Sequence, residues 1–243
     1  MKKFAVFDID GTLFRGNLTW DFFSVLIQAR LIPMSGMKEL EQRYVAHDSR
    51  ISENAYSDYD KGLIDVFCDS LKSIDDLSAY WILGQQVADD SKNRLYRFTR
   101  DMLADFKSEG RYVIAITNSV GAVANPFAKA VGFDAVIANN EIIGESGKGI
   151  VDWSIYEAGR NKAHLLEEII KDNNLTTEDS YAFGDTMSDA GMMYMVKKPV
   201  AFNPESKLQQ LAVNEGWTIV VERKNVIYRL EKDDGANFKL KMV

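Results

Sequence analysis

Hydrophobic residues follow two different patterns along the chain. Short apolar runs rich in aromatic and β-branched residues predict strands that are buried on both faces of a parallel sheet. The runs lie at 4–7, 112–116, 135–138, 181–183, 199–202 and 217–221. Apolar residues at three- and four-residue spacing predict helices over 93–107, 121–131, 161–171 and 205–216. Strands that alternate with helices in this way predict a doubly wound parallel α/β sheet.

The stretch between the first two strands carries a helical pattern only. Glycine is rare there, and the densely apolar segment from Trp20 to Ile32 predicts a helix that ends at Pro33. Further helical spacing is found over 38–44, 56–71 and 77–87. We therefore expect a core domain of residues 1–15 and 94–243, with an inserted all-helical domain of residues 16–93.

Two segments outside this alternation predict additional strands. Residues 141–153 contain three glycines and alternating apolar residues, which is typical of a hairpin at the edge of a sheet. The tail after Asn225 predicts an edge strand followed by a mobile end.

The composition is that of an ordinary globular protein and narrows the possible partners. The 243 residues carry a net charge of −7, which does not favour binding to nucleic acid or to an anionic membrane. Cys68 is the only cysteine, and His47 and His164 are the only histidines, so an internal disulfide is excluded and a histidine-rich zinc centre is disfavoured. No signal peptide and no apolar stretch of about 20 residues is present, so we expect a soluble cytoplasmic protein without a membrane span.

Polar residues follow three of the predicted strands directly. The first strand ends in Asp8 and Asp10, and the second in Thr117, Asn118 and Ser119. The strand at 181–183 is followed by a third polar group, which consists of Asp185, Thr186, Ser188 and Asp189. The carboxyl ends of parallel strands share one edge of the sheet, where α/β proteins bind their ligands. We therefore expect these side chains to form one site.

The pair Asp8 and Asp10 has its own chemical consequence. Side chains two apart along a strand point the same way, and two adjacent carboxylates repel each other unless a cation or a proton lies between them. Mg²⁺, which prefers oxygen ligands, is the simplest such cation. Taken alone, the same stretch also fits an ordinary Asp-Gly turn, which the following Gly11 and Thr12 allow.

Four of these segments resemble the motifs of one enzyme superfamily. Residues 8–12, Asp-Ile-Asp-Gly-Thr, resemble the DxDGT signature of the haloacid dehalogenase superfamily. Thr117 is similar to its second motif, Lys162 to its third, and residues 184–189 to its fourth, GDxxxD. The helical insert resembles the cap of the phosphoserine-phosphatase-like branch. The resemblance implies a Rossmann-like core with an all-helical cap domain.

The resemblance also implies a mechanism that uses both aspartates of the first motif. Asp8 would attack the phosphorus of a small-molecule phosphomonoester and form an aspartyl-phosphate, while Asp10 would act as general acid and base. Mg²⁺ would be held by Asp8, by the backbone carbonyl of Asp10 and by Asp185. Asp189 is a fourth candidate for the metal site, either beside the ion or orienting its ligands.

The same resemblance implies that residues of the second and third motifs bind the phosphoryl group. Thr117 and Asn118 would bind phosphoryl oxygens, and Lys162 would neutralise the charge on Asp8 and on the phosphate. Each has an ordinary structural interpretation as well, as a helix cap or a surface lysine, and Lys148 is a weaker rival for the place of Lys162.

The substrate and the fate of the phosphoryl group are open at this point. Phosphoserine phosphatases carry a substrate-binding glutamate where this chain has Asn17, so phosphoserine is disfavoured. Arg15, Arg43 and Arg50 are candidates for contacts with a substrate anion. The alternatives to a phosphatase are a phosphotransferase or phosphomutase with the same aspartyl-phosphate, and a non-enzymatic receiver-like domain. A receiver domain has neither an acid two residues after its phosphorylated aspartate nor a long helical insert.

Overall fold

The core of the protein is an eight-stranded sheet covered by helices on both faces. The computed structural model describes residues 1–33, 45, 66–67, 69–72, 74, 77–145, 149–153, 162–232 and 238–242. In chain order the strands are β1 (Lys2–Phe7), β2 (Tyr112–Val120), β3 (Ala135–Asn139), β4 (Glu141–Ile143), β5 (Ile150–Trp153), β6 (Leu175–Gly184), β7 (Lys198–Phe202), β8 (Thr218–Arg223), β9 (Val226–Lys232) and β10 (Phe238–Met242). The helices are α1 (Leu18–Gln28), α2 (Leu77–Ser91), α3 (Arg97–Ser108), α4 (Gly121–Val131), α5 (Lys162–Asp172), α6 (Ala190–Tyr194) and α7 (Ser206–Glu215).

The strand order places the carboxyl end of β1 at the centre of the sheet. The order is β10-β9-β8-β7-β6-β1-β2-β3, in which β8 back to β3 are parallel and β9 and β10 are antiparallel. The chain runs outwards from β1 to β3 and then returns to β6 on the other side of β1. The order therefore reverses beside β1, where α/β sheets bind their ligands. The predicted doubly wound α/β fold is confirmed.

Strand β1 contributes side chains to two separate hydrophobic cores. Ala5 and Phe7 pack with residues of α1 to α4 on one face, and Phe4 and Val6 pack with residues of α5 to α7 on the other. All four residues are fully buried. This explains why the strand appears in the sequence as a continuous apolar run instead of an alternating one.

Several element boundaries differ from the predicted ones. Helix α1 ends at Gln28, well before Pro33, because Arg30 adopts a left-handed backbone with φ of 57°. Helix α3 begins only at Arg97, because the residues before it pair with the segment that leaves the first motif. There the amide of Tyr96 donates to the Leu13 carbonyl at 2.9 Å, and Leu95 forms a bridge with Phe14.

The additional strands differ from the predictions in their placement. The predicted hairpin forms as β4 and β5, but these two strands make a sheet of their own instead of an edge of the main sheet. The tail forms β9, which pairs with β8, and then β10, which lies at the edge of the sheet where the sequence predicts a mobile end. Of the predicted cap helices, 38–44 lies outside the described residues, and of 56–71 only 66–67 and 69–71 are described, all helical. The division into core and cap domains therefore stays a prediction.

Helix α2, which belongs to the predicted insert, packs directly on the core helix α4. A Cβ atom on Gly84 would lie only 2.5 Å from the carbonyl oxygen of Ala122, so the two backbones are in contact. Beside this contact, the Tyr80 hydroxyl and the Ala122 amide both donate to Oε1 of Glu141, at 2.7 and 2.9 Å. Burial raises the pKa of Glu141, and these two hydrogen bonds oppose the shift. Within the described part of the chain, every helix is too short or too polar to cross a bilayer.

Candidate active site

Asp8 is the first residue after β1, and the sheet itself fixes its position. Its amide donates to the Phe183 carbonyl at 2.9 Å, which extends the pairing between β1 and β6 by one residue. The residue is 6% exposed, and its Oδ1 lies 2.5 Å from Nζ of Lys162. The carboxylate is therefore held at the sheet edge with a buried cation against one of its oxygens.

Lys162 begins α5 and connects two of the predicted site residues. Its Nζ lies 2.5 Å from Asp8 and 2.5 Å from Oδ1 of Asp189, and only 5% of the side chain is exposed. Burial would lower the pKa of Lys162, but Asp189 and Asp8 raise it above its usual value. The lysine is thus charged, and the structure brings it into the site as the motif implied.

Asp185 follows β6 and faces the first motif across the sheet edge. The hydroxyl of Thr12 donates to its Oδ1 at 3.1 Å. Gly11 has φ of 77°, and a Cβ atom there would lie 2.2 Å from Oδ2 of Asp185. Only glycine satisfies both the left-handed backbone and this close approach.

Both carboxylate oxygens of Asp189 are already engaged by the protein. Oδ1 accepts from Lys162, and Oδ2 accepts from the amides of Asp185 and Thr186, each at 3.0 Å. The residue is fully buried in the short 3₁₀ turn Met187–Asp189. A Cβ atom on Gly184 would lie 2.3 Å from Cβ of Asp189, which explains the glycine at that position. Asp189 therefore holds Lys162 and the loop after β6 in place.

The carboxylates of this cluster outnumber the cations that contact them among the described residues. Oxygen atoms of Asp8, Asp185 and Asp189 lie within 4.8 Å of one another, and the ammonium of Lys162 contacts two of the three side chains. Burial raises the pKa of Asp8 to about 8, with Asp189 and Asp10 adding to the shift against the effect of Lys162. Burial, Asp8 and Asp189 also raise the pKa of Asp185. An oxygen-only donor set with excess negative charge fits a hard divalent cation such as Mg²⁺.

Asp10 lies in a different environment from Asp8, although the two are adjacent in the motif. Its Oδ1 accepts from the amide of Leu18, the first residue of α1, at 2.8 Å. Its Oδ2 accepts from the hydroxyl of Ser119. Asp10 thus interacts with a helix N-terminus and a neutral hydroxyl, whereas Asp8 interacts with a charged lysine.

The predicted phosphate-binding residues line the same small cavity as the acids. The ladder between β2 and β3 is interrupted between Ile116 and Val120, which frees the intervening residues from regular pairing. The cavity has a volume of about 50 Å³, which is room for a few water molecules or a comparably small group. Its lining consists of Asp8, Asp10, Asn17, Thr19, Thr117, Asn118, Ser119, Lys162, Asp185, Thr186 and Ser188. The structure therefore brings all predicted site residues together at one edge, with Asp189 directly behind the cavity.

Sequence reasoning assigned no role in the site to Thr19. Its hydroxyl lies 3.0 Å from that of Ser119, a hundred residues away in the chain, and no local pattern indicates that contact. Asn17 is the N-cap of α1, because its Oδ1 accepts from the Trp20 amide at 2.9 Å. Its position before an apolar helix is a recognisable capping signal.

Of the other cationic residues that the sequence suggests for the site, Arg15 is described, and it does not line the cavity. Arg15 is exposed and stacks over the ring of Tyr96, with 5.5 Å from its guanidinium carbon to the ring centroid. Lys148, Arg43 and Arg50 lie outside the described residues.

Comparison with known protein families identifies the chain. The family model of haloacid dehalogenase-like hydrolases matches residues 5–194, which include all four motifs. The chain belongs to this family.

The curated proteins that match this chain are distant relatives. The Inhibition of morphological differentiation protein of Streptomyces azureus is 26% identical over 126 residues, which are 52% of this chain and 46% of that protein. The chain thus spans under half the length of the first curated relatives it matches. A Histidinol-phosphatase of Neisseria meningitidis serogroup C is 20% identical over 90% of this chain and 99% of that protein.

Solved structures of the haloacid dehalogenase family share the fold. A phosphoserine phosphatase, solved as a phospho-aspartyl intermediate analogue, superimposes with a TM-score of 0.56 and 19% identity. The superposition covers 92% of this chain and 94% of that one. The predicted membership in the superfamily and the likeness to its phosphoserine-phosphatase-like branch are confirmed.

Proposed function

We propose that this chain is a Mg²⁺-dependent phosphatase that hydrolyses a small-molecule phosphomonoester through an aspartyl-phosphate on Asp8. The observation that carries the proposal is the contact between the buried Asp8 carboxylate and Lys162 at the floor of a cavity of about 50 Å³. The nucleophile, the acid and the phosphate-binding residues all line that cavity. Family membership and the phosphatase names among the relatives support the same reaction.

The first half of the reaction transfers the phosphoryl group to the protein. A carboxylate oxygen of Asp8 attacks phosphorus, and the bond from phosphorus to the leaving oxygen breaks. Asp10 gives its proton to that oxygen, so that the product leaves as a neutral alcohol. Lys162 stays charged beside Asp8 and offsets the repulsion between the carboxylate and the anionic substrate.

The second half of the reaction restores both aspartates. A water molecule attacks phosphorus and gives a proton to Asp10, and the bond from phosphorus to the Asp8 oxygen breaks. Inorganic phosphate is released. Thr117 and Asn118 bind the phosphoryl oxygens in both halves, as residues of the cavity wall that lie beside Asp8.

We assign the cation to oxygen atoms other than those of Asp189. Asp8, Asp185 and the backbone carbonyl of Asp10 would hold Mg²⁺, which supplies positive charge where negative charge develops. Asp189 stands behind these ligands as an orienting residue, because Lys162 and two amides already occupy its oxygens.

The substrate is proposed to carry no ammonium group that needs a carboxylate partner. Asn17 lines the cavity, but its carbonyl oxygen is used as the cap of α1. Among the described residues, the carboxylates that line the cavity are Asp8, Asp10 and Asp185, which the proposal assigns to catalysis and metal binding. Phosphoserine therefore remains disfavoured. The cytoplasmic location and the helical cap over residues 16–93 stay predictions.

Hydrolysis of p-nitrophenyl phosphate tests the proposal. We expect turnover with Mg²⁺, loss of turnover with EDTA, and recovery when excess Mg²⁺ is added. No Mg²⁺-dependent turnover would contradict the proposed function. A panel of phosphorylated amino acids, sugars and lipid head groups would then identify the substrate class.

Product analysis separates the alternatives that share the aspartyl-phosphate. With a competing alcohol present, a phosphatase releases inorganic phosphate, whereas a phosphotransferase or phosphomutase yields a new phosphoester. A receiver-like domain would instead give a long-lived phosphoprotein without turnover, and the match to a hydrolase family disfavours it.

A further inference from the structure

Two hydrogen-bonding groups from distant segments contact the carboxyl group of Asp10, and a third supports one of them. The Leu18 amide donates to Oδ1 at 2.8 Å, and the Ser119 hydroxyl donates to Oδ2. The Ser119 hydroxyl also lies 3.0 Å from Oγ1 of Thr19. Thr19 and Ser119 are 2% and 3% exposed, so bulk water does not replace either contact.

The donors along this chain of contacts have one consistent order. The Val120 amide donates to Oγ1 of Thr19 at 3.3 Å, so the Thr19 hydroxyl is free to donate to Ser119. Ser119 then donates to Oδ2 of Asp10. Because a backbone amide starts the order, each hydroxyl is directed towards Asp10 when that residue is a carboxylate.

These contacts distinguish the two oxygens of Asp10. The Leu18 amide is a fixed donor that holds Oδ1 against the N-terminus of α1. The Ser119 hydroxyl rotates and bonds to Oδ2 in either protonation state, so we take Oδ2 as the oxygen that carries the proton. With the Leu18 contact alone, the carboxyl plane would be free to turn about the bond to Cβ, whereas the second contact fixes that plane.

We propose that Ser119, held by Thr19, is a positioning residue that orients Oδ2 of Asp10 towards the leaving oxygen. The inference rests on the proposed function and adds two residues outside the four motifs to its acid–base step. Ser119 acts through Asp10 and not on the substrate. Thr19 acts one step further away, through Ser119.

The leaving group provides a readout that a purely structural role would not change. Nitrophenolate is a stable anion and departs with little help from an acid, whereas phenolate depends more strongly on protonation. The two phosphate esters have similar shapes and reach the site in the same way. The ratio of kcat/KM for p-nitrophenyl phosphate to kcat/KM for phenyl phosphate therefore reports how well Asp10 delivers its proton.

The test compares this ratio in the full-length wild-type protein, Ser119→Ala, Thr19→Val and Thr19→Ser, all with Mg²⁺. We expect Ser119→Ala to lose about tenfold more activity on phenyl phosphate than on p-nitrophenyl phosphate, the effect of one hydrogen bond to a charged group. Thr19→Val should shift the ratio in the same direction but less, and Thr19→Ser should keep the wild-type ratio. Ser180→Ala is the matched control, because Ser180 is a fully buried serine whose hydroxyl bonds to the Thr177 carbonyl, away from the site.

Each outcome decides the proposal. Equal losses on both esters in Ser119→Ala, or an unchanged ratio, would show that Ser119 only packs α1 against β2 and would overturn it. Thr19→Val supplies the same test if Ser119→Ala does not fold. A wild-type protein without Mg²⁺-dependent turnover overturns the proposed function and this inference together, whereas an active wild type with unchanged ratios in the variants overturns this inference alone.

Discussion

The two aspartates of the first motif are separated by one residue, yet they belong to two different halves of the site. Asp8 lies in a charged half, with a buried lysine at 2.5 Å and two further carboxylates nearby. Asp10 lies in a neutral half, where its carboxyl group accepts hydrogen bonds from a backbone amide and a hydroxyl. The comparison shows how one short turn provides two chemical environments for one residue type. In the proposed mechanism the charged half attacks and binds the phosphoryl group, and the neutral half transfers the proton.

Replacing the nucleophile should have the largest effect. We expect Asp8→Asn to reduce turnover of p-nitrophenyl phosphate at least roughly thousandfold, because an amide does not form the phosphoenzyme. Intact-mass spectrometry should detect no phosphoryl adduct in the variant. Asp105→Asn, at an exposed position on α3, is the matched control and should keep wild-type activity. Full activity in Asp8→Asn would remove the distinction between the two halves.

Asp10→Asn should separate binding from proton transfer. We expect turnover of phenyl phosphate to fall roughly 10²- to 10⁴-fold, because the amide lacks the proton that the leaving oxygen needs, while Mg²⁺ and phosphate still bind. Calorimetric titration with Mg²⁺ and kinetic measurements on the same preparation check both parts. A fully active variant would contradict the assignment of Asp10 as the acid, and a loss of Mg²⁺ binding would mean that its side chain belongs to the charged half.

Gly11→Ala should disturb the charged half alone. The new Cβ atom would lie 2.2 Å from Oδ2 of Asp185, so we expect Mg²⁺ affinity to fall about tenfold as that carboxylate moves. Gly110→Ala is the matched control, because its φ of 73° is similar but nothing lies within 4 Å of the added carbon. The control should cost only about 1–2 kcal/mol of backbone strain and leave Mg²⁺ binding unchanged. Equal effects of both substitutions would contradict the role given to the Asp185 contact.

The effect least visible in turnover concerns stability and pH. Without metal, burial raises the pKa of Asp8 to about 8, whereas an aspartate in the unfolded chain titrates near its usual value of about 4. Between these values the folded state holds a proton that the unfolded state has lost, so the metal-free protein should lose stability as pH rises. We expect the Tm difference between Asp8→Asn and the wild type in EDTA to grow over this window.

Added Mg²⁺ should reverse this trend in the wild-type protein. Because the ion binds the ionised carboxylates, its affinity rises with pH, and the increase in Tm should be larger at pH 8 than at pH 6. A Tm difference between wild type and Asp8→Asn that stays constant with pH in EDTA would contradict the raised pKa of Asp8.

The charged half could be predicted from the sequence far more completely than the neutral half. Asp8 and Asp185 stand directly after buried strands, so strand direction alone places them at one edge. Lys162 required the family motif, because a lysine among other charges at the start of a helix is otherwise expected at the surface. Its burial follows from two carboxylates that are distant in sequence.

The contacts of the neutral half depend on tertiary packing that leaves no local signal. Thr19 and Ser119 meet because α1 lies against β2, and neither residue type nor spacing indicates this. The end of α1 was missed for a related reason, because the residue with a left-handed backbone is Arg30 and not the glycine that usually marks such a position. Local patterns thus predicted elements and strand ends, while the partners of Asp10 required the folded chain.

The contact between α2 and α4 has a consequence for the evolution of the family members that share it. Gly84 lies in the middle of a helix, where alanine is ordinarily the more stable residue by about 1 kcal/mol. Here any side chain would meet the carbonyl oxygen of Ala122 at 2.5 Å. Mutations at position 84 should therefore be removed by selection although Gly84 does not line the cavity of the site. Orthologues that keep this helix pairing should retain a glycine there while the exposed positions of α2 diverge.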